Sequence, residues 1–213
     1  LGRRARERGV TAFVVFDTHW LSNFGYHINA NPHHRGAFTS HEAPQMIQDL
    51  RYDLPGDPAL AEAIAGEAAG AGLGVIAHRV ASLGLEYGTI VRMHYMNEDG
   101  WAKVVSVATP LFTSPEESRI VGEATRRAIA RSGERVAILA SGSLSHRLWP
   151  NKKLGPEAWT SIASEFNRQV DLRVLELWQQ RLQLLRSVAA VEASRHYLAA
   201  EGRNFDVALV SAY

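Results

Sequence analysis

Short runs of apolar residues alternate with helix-like patterns along most of the chain. Runs of β-branched and other apolar residues predict buried strands at 11–17, 74–78, 104–108 and 135–140. Amphipathic patterns predict helices at 2–9, 59–70, 115–131 and 156–200, the last with a break near residue 180. Strands that alternate with helices through short links predict an α/β fold with a mixed, largely parallel sheet flanked by helices.

Residues with known preferences for helix ends support two of these helices. Asp57 can cap the helix that follows it, and Pro58 suits the first helical position. Ser114 and Pro115 repeat this arrangement, and Gly133 is a residue at which the second helix can end. The ends of these two helices are therefore predicted by their capping residues as well as by the hydrophobic periodicity.

Residues 21–44 show neither pattern. The segment is polar, is interrupted by Pro32 and Pro44, and contains four histidines: His27, His33, His34 and His41. A loop of this length inside a compact domain is usually functional or disordered. We therefore expect an irregular segment here.

Composition excludes several classes of protein. Of the 213 residues, 46% are apolar and 21% are charged, as in an ordinary globular protein. The 23 basic and 22 acidic residues nearly cancel, which argues against a nucleic-acid or membrane partner. Cysteine is absent, so disulfides, thiolate metal sites and a cysteine nucleophile are excluded. Without a long apolar run or a leader pattern, we expect a cytoplasmic protein, and the start at Leu1 suggests a missing N-terminal piece.

Two of the predicted strands lead into a histidine. The strand at 11–17 is followed by His19, and the strand at 135–140 is followed by His146. If both strands are parallel, their carboxyl ends meet at one edge of the sheet and both imidazoles lie there. The alternative for His19 is a structural histidine beside a capping acid. Ser145 lacks the flanking glycines of a nucleophile elbow, which argues against a serine hydrolase.

Four stretches of the sequence, taken in order, resemble the class III extradiol ring-cleavage dioxygenases. They are Asp17-Thr18-His19-Trp20, Leu85-Glu86-Tyr87-Gly88-Thr89, Tyr95-Met96-Asn97-Glu98-Asp99 and Ser141-Gly142-Ser143-Leu144-Ser145-His146-Arg147. The resemblance covers residues 1–180 and is nearest to the branch that cleaves 3,4-dihydroxyphenylacetate. It implies a single catalytic-type domain over 1–213 with the fold of that family, an Fe(II) cofactor, a catechol and O2 as substrates, and a homo-oligomer.

The resemblance also implies roles for individual residues. His19 would be one iron ligand, and Glu201, in a loosely matching stretch at 197–206, would be another. His146 would be the catalytic acid/base that handles the catechol proton and assists cleavage of the oxygen–oxygen bond. The ordinary histidine pKa of about 6.5 suits that role. The alternative for Glu201 is a solvated glutamate at a helix end.

Three more residues are candidates for the substrate pocket. His27, eight residues after His19, could face the same pocket, although a surface histidine fits equally well. Tyr87 could line the pocket or pack in the core. Ser143 belongs to a run of small residues before His146, which would let a substrate approach the backbone closely.

The sequence departs from the family at both ends. The family's other iron-binding histidine lies in an N-terminal strand, and no histidine precedes His19. Residues 181–200 match poorly, and the family's C-terminal strand is expected to be missing after Tyr213. One hypothesis is therefore an Fe(II) extradiol dioxygenase that lacks these two strands. The rival hypothesis is a non-catalytic subunit of a two-subunit ring-cleavage enzyme of the 2-aminophenol type, and a divalent-metal hydrolase is a weaker third.

Overall fold

The computed structural model describes residues 1–41, 44–142, 164–192 and 205–209, with the backbone alone for 181–192 and 205–209. These residues belong to two compact units. The first contains residues 1–142 and the strand at 205–209, and the second contains the helix at 165–192. The sheet lies in the first unit.

The strands of the first unit form a six-stranded sheet and a two-stranded ribbon. In chain order they are β1 (Ala12–Ser22), β2 (Tyr26–Asn29), β3 (His33–Phe38), β4 (Leu50–Pro55), β5 (Val75–His78), β6 (Lys103–Pro110), β7 (Val136–Ala140) and β8 (Phe205–Leu209). The order in the sheet is β5-β2-β6-β1-β7-β8, and β3 pairs with β4 in the ribbon. β6, β1, β7 and β8 are parallel neighbours, whereas β2 is antiparallel to β6 and parallel to β5. The mixed, largely parallel sheet predicted from the sequence is confirmed.

Helices cover both faces of this sheet. They are α1 (Gly2–Glu7), α2 (Pro58–Gly70), α3 (Tyr87–Met96) and α4 (Pro115–Ser132), and the second unit contains α5 (Glu165–Glu192). Val14 of β1 belongs to the core cluster that includes Ile64 of α2, whereas Phe13 and Val15 belong to the cluster that includes Ile90 of α3. Successive residues of β1 therefore face opposite sides, as a strand buried on both faces requires.

The predicted helix caps are present. The Asp57 carboxylate accepts a hydrogen bond from Leu60 N at 3.0 Å. The Ser114 hydroxyl accepts one from Glu117 N, and the Glu117 carboxylate accepts one in return from Ser114 N, which forms a capping box. Gly133 ends α4 with a φ of +74°, in the left-handed region that favours glycine.

β1 is longer than predicted. It continues past residue 17 to Ser22, with a shift of register against β6 between Asp17 and Leu21. The run of polar residues hid this extension, because a strand that leaves the apolar core loses the pattern by which it is recognised.

The prediction of an irregular segment at 21–44 is wrong in large part. The segment contains β2, in which Tyr26 and Ile28 alternate into the core, and β3, which pairs with the unpredicted strand β4. These strands have four to six residues and are interrupted by glycine, proline and histidine, so their period of two is not apparent in the sequence.

Two helices also differ from the prediction. α3 was not among the predicted helices, because Gly88 stands at its second position and weakens the helical pattern. α5 continues through residue 180, where a break was predicted, since Gln179 and Gln180 are good helix formers. Within the described residues, no helix is long and apolar enough to cross a membrane.

His34 fixes the ribbon to the main sheet. Its side chain is buried, and its Nε2–H donates a hydrogen bond to Val104 O of β6 at 3.0 Å. The adjacent Gly56 forms an isolated bridge to Val104 as well. Burial lowers the pKa of the His34 imidazole and outweighs the hydrogen bond to Val104, which raises it. The ribbon is therefore held by a histidine that favours its neutral form.

We expect Ile64→Ala to lower the free energy of unfolding by about 2–5 kcal/mol, because it leaves a cavity under α2. Ile64 is completely buried, whereas Ile76 on the edge strand β5 is 47% exposed. Ile76→Ala is thus the matched control and should cost less than about 1 kcal/mol. Urea denaturation of both variants measures the difference, and equal losses would contradict this description of the core.

We expect the free energy of unfolding to fall as the pH decreases below about 6.5, by up to about 1.4 kcal/mol per pH unit from His34. The unfolded chain takes up a proton near pH 6.5, whereas the folded chain takes it up only at the lower pKa of the buried imidazole. The stability that His34 contributes is therefore fully present above pH 6.5 and is lost as the pH falls toward the lowered folded pKa. His34→Gln keeps a donor for Val104 and should flatten this dependence in denaturation curves measured from pH 5 to 8. The exposed His94, changed to Gln, should leave the dependence intact; equal slopes in both variants would rule out His34 as the cause.

Candidate active site at the end of strand β1

The carboxyl ends of β1, β6 and β7 meet at one edge of the sheet, because these strands are parallel neighbours. β1 leaves its regular register there after Asp17, and β7 leads there into Ser141. α3 begins at the same edge, with Gly88 packed against both residues. The position beyond the carboxyl ends of parallel strands is the usual place for a ligand in α/β proteins.

The Asp17 carboxylate is completely buried and organises the main chain around it. Its Oδ1 accepts hydrogen bonds from His19 N at 2.9 Å and from Trp20 N at 3.2 Å. Its Oδ2 accepts a hydrogen bond from the Thr89 hydroxyl at 2.7 Å, and that hydroxyl lies 2.9 Å from Ser106 Oγ. A buried carboxylate with this set of donors is stable only if all of them hold their positions.

Ser141 joins the end of β7 to β1. Its backbone N donates to Phe16 O at 3.0 Å, and its Oγ accepts from Thr18 N at 2.8 Å. The hydroxyls of Ser141 and Thr18 also lie 3.0 Å apart. These bonds fix the residue immediately before His19 to the neighbouring strand.

Glycine is required at position 88 because α3 approaches these groups so closely. A Cβ atom at Gly88 would clash with the Asp17 carboxylate and would lie 2.8 Å from Ser141 Oγ. The first turn of α3 can therefore rest against the strand ends only without a side chain at this position.

His19 lies against the ring of Tyr87, the first residue of α3. The two ring centroids are 3.7 Å apart, and the ring planes are tilted by 34°. Phe38 of the ribbon approaches the Tyr87 ring at 6.2 Å. Both His19 and Tyr87 are half-buried, so the pair keeps a surface accessible to a ligand.

A cavity of about 360 Å³ is lined by Trp20, which follows His19 in the chain, and by Glu86, which precedes Tyr87, but His19 and Tyr87 are not among its lining residues. Trp20, Phe38 and Tyr52 contribute aromatic walls, and Glu86 and His41 contribute polar groups. Burial raises the pKa of the Glu86 carboxyl, the charge of Asp17 raises it further, and His41 lowers it. The cavity therefore combines aromatic surface with a carboxyl group that resists ionisation.

A larger groove of about 510 Å³ lies between the ribbon and α3. Arg35, Asp53 and Glu98 are among the charged residues along it, and Met93 lies at its base. Its lining does not include the segment 17–20, so the smaller cavity is the one adjacent to the end of β1.

His27 lies on β2, which β6 separates from β1. Its Nδ1 is 2.7 Å from His78 Nε2, and its Nε2 is 3.2 Å from Phe24 O. Because a carbonyl only accepts, His27 Nε2 carries the proton and His78 Nε2–H donates to His27 Nδ1. The partnership with His78, which is 51 residues away, could not be anticipated from the sequence, and a place for His27 in the substrate pocket stays a prediction.

The remaining predicted site residues lie outside the described part of the chain. They are Ser143, His146 and Glu201. Among the described residues, no group of three His, Cys, Asp or Glu side chains is arranged to hold a metal ion. Of the predicted metal ligands, His19 is therefore the one that the structure describes, and its imidazole has the donor chemistry that a non-haem iron requires.

Several residues of the site were missed at the level of sequence. Thr89 and Ser106 complete the Asp17 network, Ser141 anchors Thr18, and Glu86 lines the cavity. Ser106 gave one signal, because it is a polar residue inside an otherwise apolar strand. Glu86, Thr89 and Ser141 lie in stretches that carry the family resemblance, but their local pattern does not reveal their long-range partners.

Comparison with known proteins identifies the family. The family described as the catalytic LigB subunit of aromatic ring-opening dioxygenase matches residues 1–211. The chain is 45% identical over 181 residues to the 3,4-dihydroxyphenylacetate 2,3-dioxygenase of Escherichia coli. This aligned region covers 84% of this chain and 65% of that protein. It is 30% identical over 176 residues to the 2-aminophenol 1,6-dioxygenase beta subunit of a Pseudomonas species. This aligned region covers 78% of this chain and 57% of that protein.

The chain thus spans less than two thirds of the length of either relative. The match to the family nevertheless extends over nearly all of its residues, and the mixed sheet with its site at the end of β1 agrees with it. This chain belongs to the LigB family, the class III extradiol dioxygenases.

Proposed function

We propose that this chain carries the ring-cleavage site of an extradiol dioxygenase, which uses Fe(II) and O2 to open a catechol such as 3,4-dihydroxyphenylacetate. The main support is the His19 imidazole at the sheet edge, whose ring centroid lies 3.7 Å from that of Tyr87 and whose chain neighbour Trp20 lines an aromatic cavity. The choice of substrate is supported by the relative named for that reaction, at 45% identity. The ring would open next to the two hydroxyls and not between them.

The cavity beside His19 suits a molecule with one aromatic ring. Its volume of about 360 Å³ is within the usual range for small-molecule sites. In this proposal the catechol ring packs against Trp20 and Phe38 of the cavity wall and reaches toward Tyr87, because the flat faces of aromatic side chains favour aromatic partners. The polar groups of Glu86 and His41 would then face a hydroxyl or a ring substituent.

His19 and Glu201 are the residues that would hold the metal. When bound, Fe(II) orients the catechol and O2 and passes electron density between them. The protein's contribution at His19 is positional: Asp17 bonds the backbone of His19 and of the residue after it, so the imidazole starts from a fixed point. The third protein ligand of the proposed site is not assigned.

His146 is the proposed acid/base. It would accept a proton from a catechol hydroxyl and return it during ring opening, and its ordinary pKa of about 6.5 allows both steps near neutral pH. The small side chain of Ser143 would let the substrate approach the backbone closely. His27 would provide a polar side chain at the margin of the pocket. Association into a homo-oligomer is a further part of the proposal.

A non-catalytic subunit is the second candidate function. One relative is the beta subunit of a 2-aminophenol dioxygenase, which supports a place in an assembly of more than one chain. The description of the family as catalytic and the higher identity to the 3,4-dihydroxyphenylacetate enzyme favour the enzyme.

We expect the protein, after anaerobic loading with Fe(II), to consume O2 when 3,4-dihydroxyphenylacetate is added and to form a yellow ring-fission product in equal amount. His146→Ala should lower kcat by about 10²- to 10⁴-fold, because it removes the proposed acid/base. An oxygen electrode and visible absorbance measure both quantities. A protein that neither consumes O2 nor retains iron would contradict the enzyme and favour the non-catalytic subunit.

We expect His19→Ala to weaken Fe(II) binding by at least about 10-fold, since the loss of a partner outside the metal shell already has an effect of that size. Equilibrium dialysis of the purified protein measures the metal bound, independently of any turnover. His94→Ala is the matched control, because His94 is exposed on α3 and outside the site. Equal Fe(II) binding in the two variants would show that His19 is not a ligand.

A further inference from the structure

Arg92 is a buried cation on α3 that joins two elements of the site. Its side chain is only 4% exposed. One terminal nitrogen donates to Gly88 O at 2.9 Å, within α3, and the other donates to Ser141 O at 2.7 Å, at the end of β7. The planar guanidinium thus spans the gap between the first turn of α3 and the adjacent strand end.

The surroundings of Arg92 are costly for a charge. Burial lowers the pKa of the guanidinium, and the nearby Asp17 carboxylate opposes this effect. The acceptors of its two terminal nitrogens are neutral carbonyls, and its Nε has no hydrogen-bond partner among the described residues. A surface arginine would avoid this desolvation, so stability alone does not account for a cation at this place.

Both carbonyls to which Arg92 donates belong to residues that pack or bond against the segment around His19. Gly88 follows Tyr87 and packs against the Asp17 carboxylate. Ser141 binds the Thr18 backbone, immediately before His19. A single guanidinium therefore connects the element that carries Tyr87 to the element that fixes the main chain next to His19.

We propose that Arg92 is a positioning residue, which holds the start of α3 against the end of β7 and thereby sets the contact between the His19 and Tyr87 rings. The importance of that contact for turnover rests on the proposed function. The contact itself is a property of the protein without metal or substrate, so it can be tested separately.

The test is the NMR signal of the His19 imidazole in the metal-free protein, assigned by its loss in His19→Gln. An aromatic ring shifts the signal of a proton above its face, and Tyr87→Leu gives the position of that signal without the ring. Arg92→Met should move the His19 signal toward the Tyr87→Leu position. Arg92→Lys should move it part of the way, because one ammonium group cannot span both carbonyls as a guanidinium does.

Arg127→Met is the matched control. Arg127 of α4 is half-buried and bonded to Glu67 of α2, on the other face of the sheet. This variant should lose stability without moving the His19 signal. If Arg92→Met does not fold, Arg92→Lys decides the question alone. A His19 signal at the wild-type position in folded Arg92 variants, or one that does not respond to Tyr87→Leu, would overturn the proposal.

The turnover rate is the second measurement that tests the proposal. If the wild-type protein cleaves the catechol, Arg92→Lys should lower kcat by about 10- to 100-fold with a smaller change in KM, since misplacement of a reacting group by about 1 Å has an effect of this order. An unchanged kcat together with a shifted His19 signal would contradict the catalytic importance of the contact. A wild-type protein without turnover would contradict the proposed function but leave the NMR result to decide the role of Arg92.

Discussion

The buried carboxylate of Asp17 is the constraint on which the site depends. A charge without access to water is stable only when donors surround it, and here they are two backbone N–H groups and the Thr89 hydroxyl. The backbone donors belong to His19 and Trp20, so β1 must leave its regular ladder immediately after the acid. The shift of register against β6 is the visible consequence. The acid therefore determines where the imidazole begins, through its hydrogen bond to the backbone of His19.

The same constraint extends to α3. Thr89 reaches Asp17 only if the helix starts very close to the strand ends, and this approach requires a residue without a side chain at position 88. Once the helix starts there, Tyr87 is brought against His19. The close packing of one helix start thus converts a buried charge into a defined contact between two rings. Preorganisation of this kind is what a site gains when its residues stand on rigid elements.

The parts of the fold that could be predicted are those with local signals. The capping residues Asp57 and Ser114 predicted the starts of their helices, and the apolar run before Asp17 predicted the central strand. The parallel strands then placed the candidate site at one edge of the sheet. The unpredicted parts depend on distant partners: Thr89 meets Asp17 across 72 residues, and the His27–His78 bond spans 51. No periodicity within either segment contains that information.

The histidines show why surroundings, and not residue type, assign a role. His34 is buried, donates to a carbonyl and favours its neutral form, which suits a structural link. His27 on β2 shares a hydrogen bond with His78 on the neighbouring edge strand β5. His19 differs from both, because its backbone is fixed by a buried acid while its ring stays half-exposed against Tyr87 at the ends of parallel strands. A ligand for a metal must be fixed in position yet accessible, and among these three histidines that combination occurs at His19.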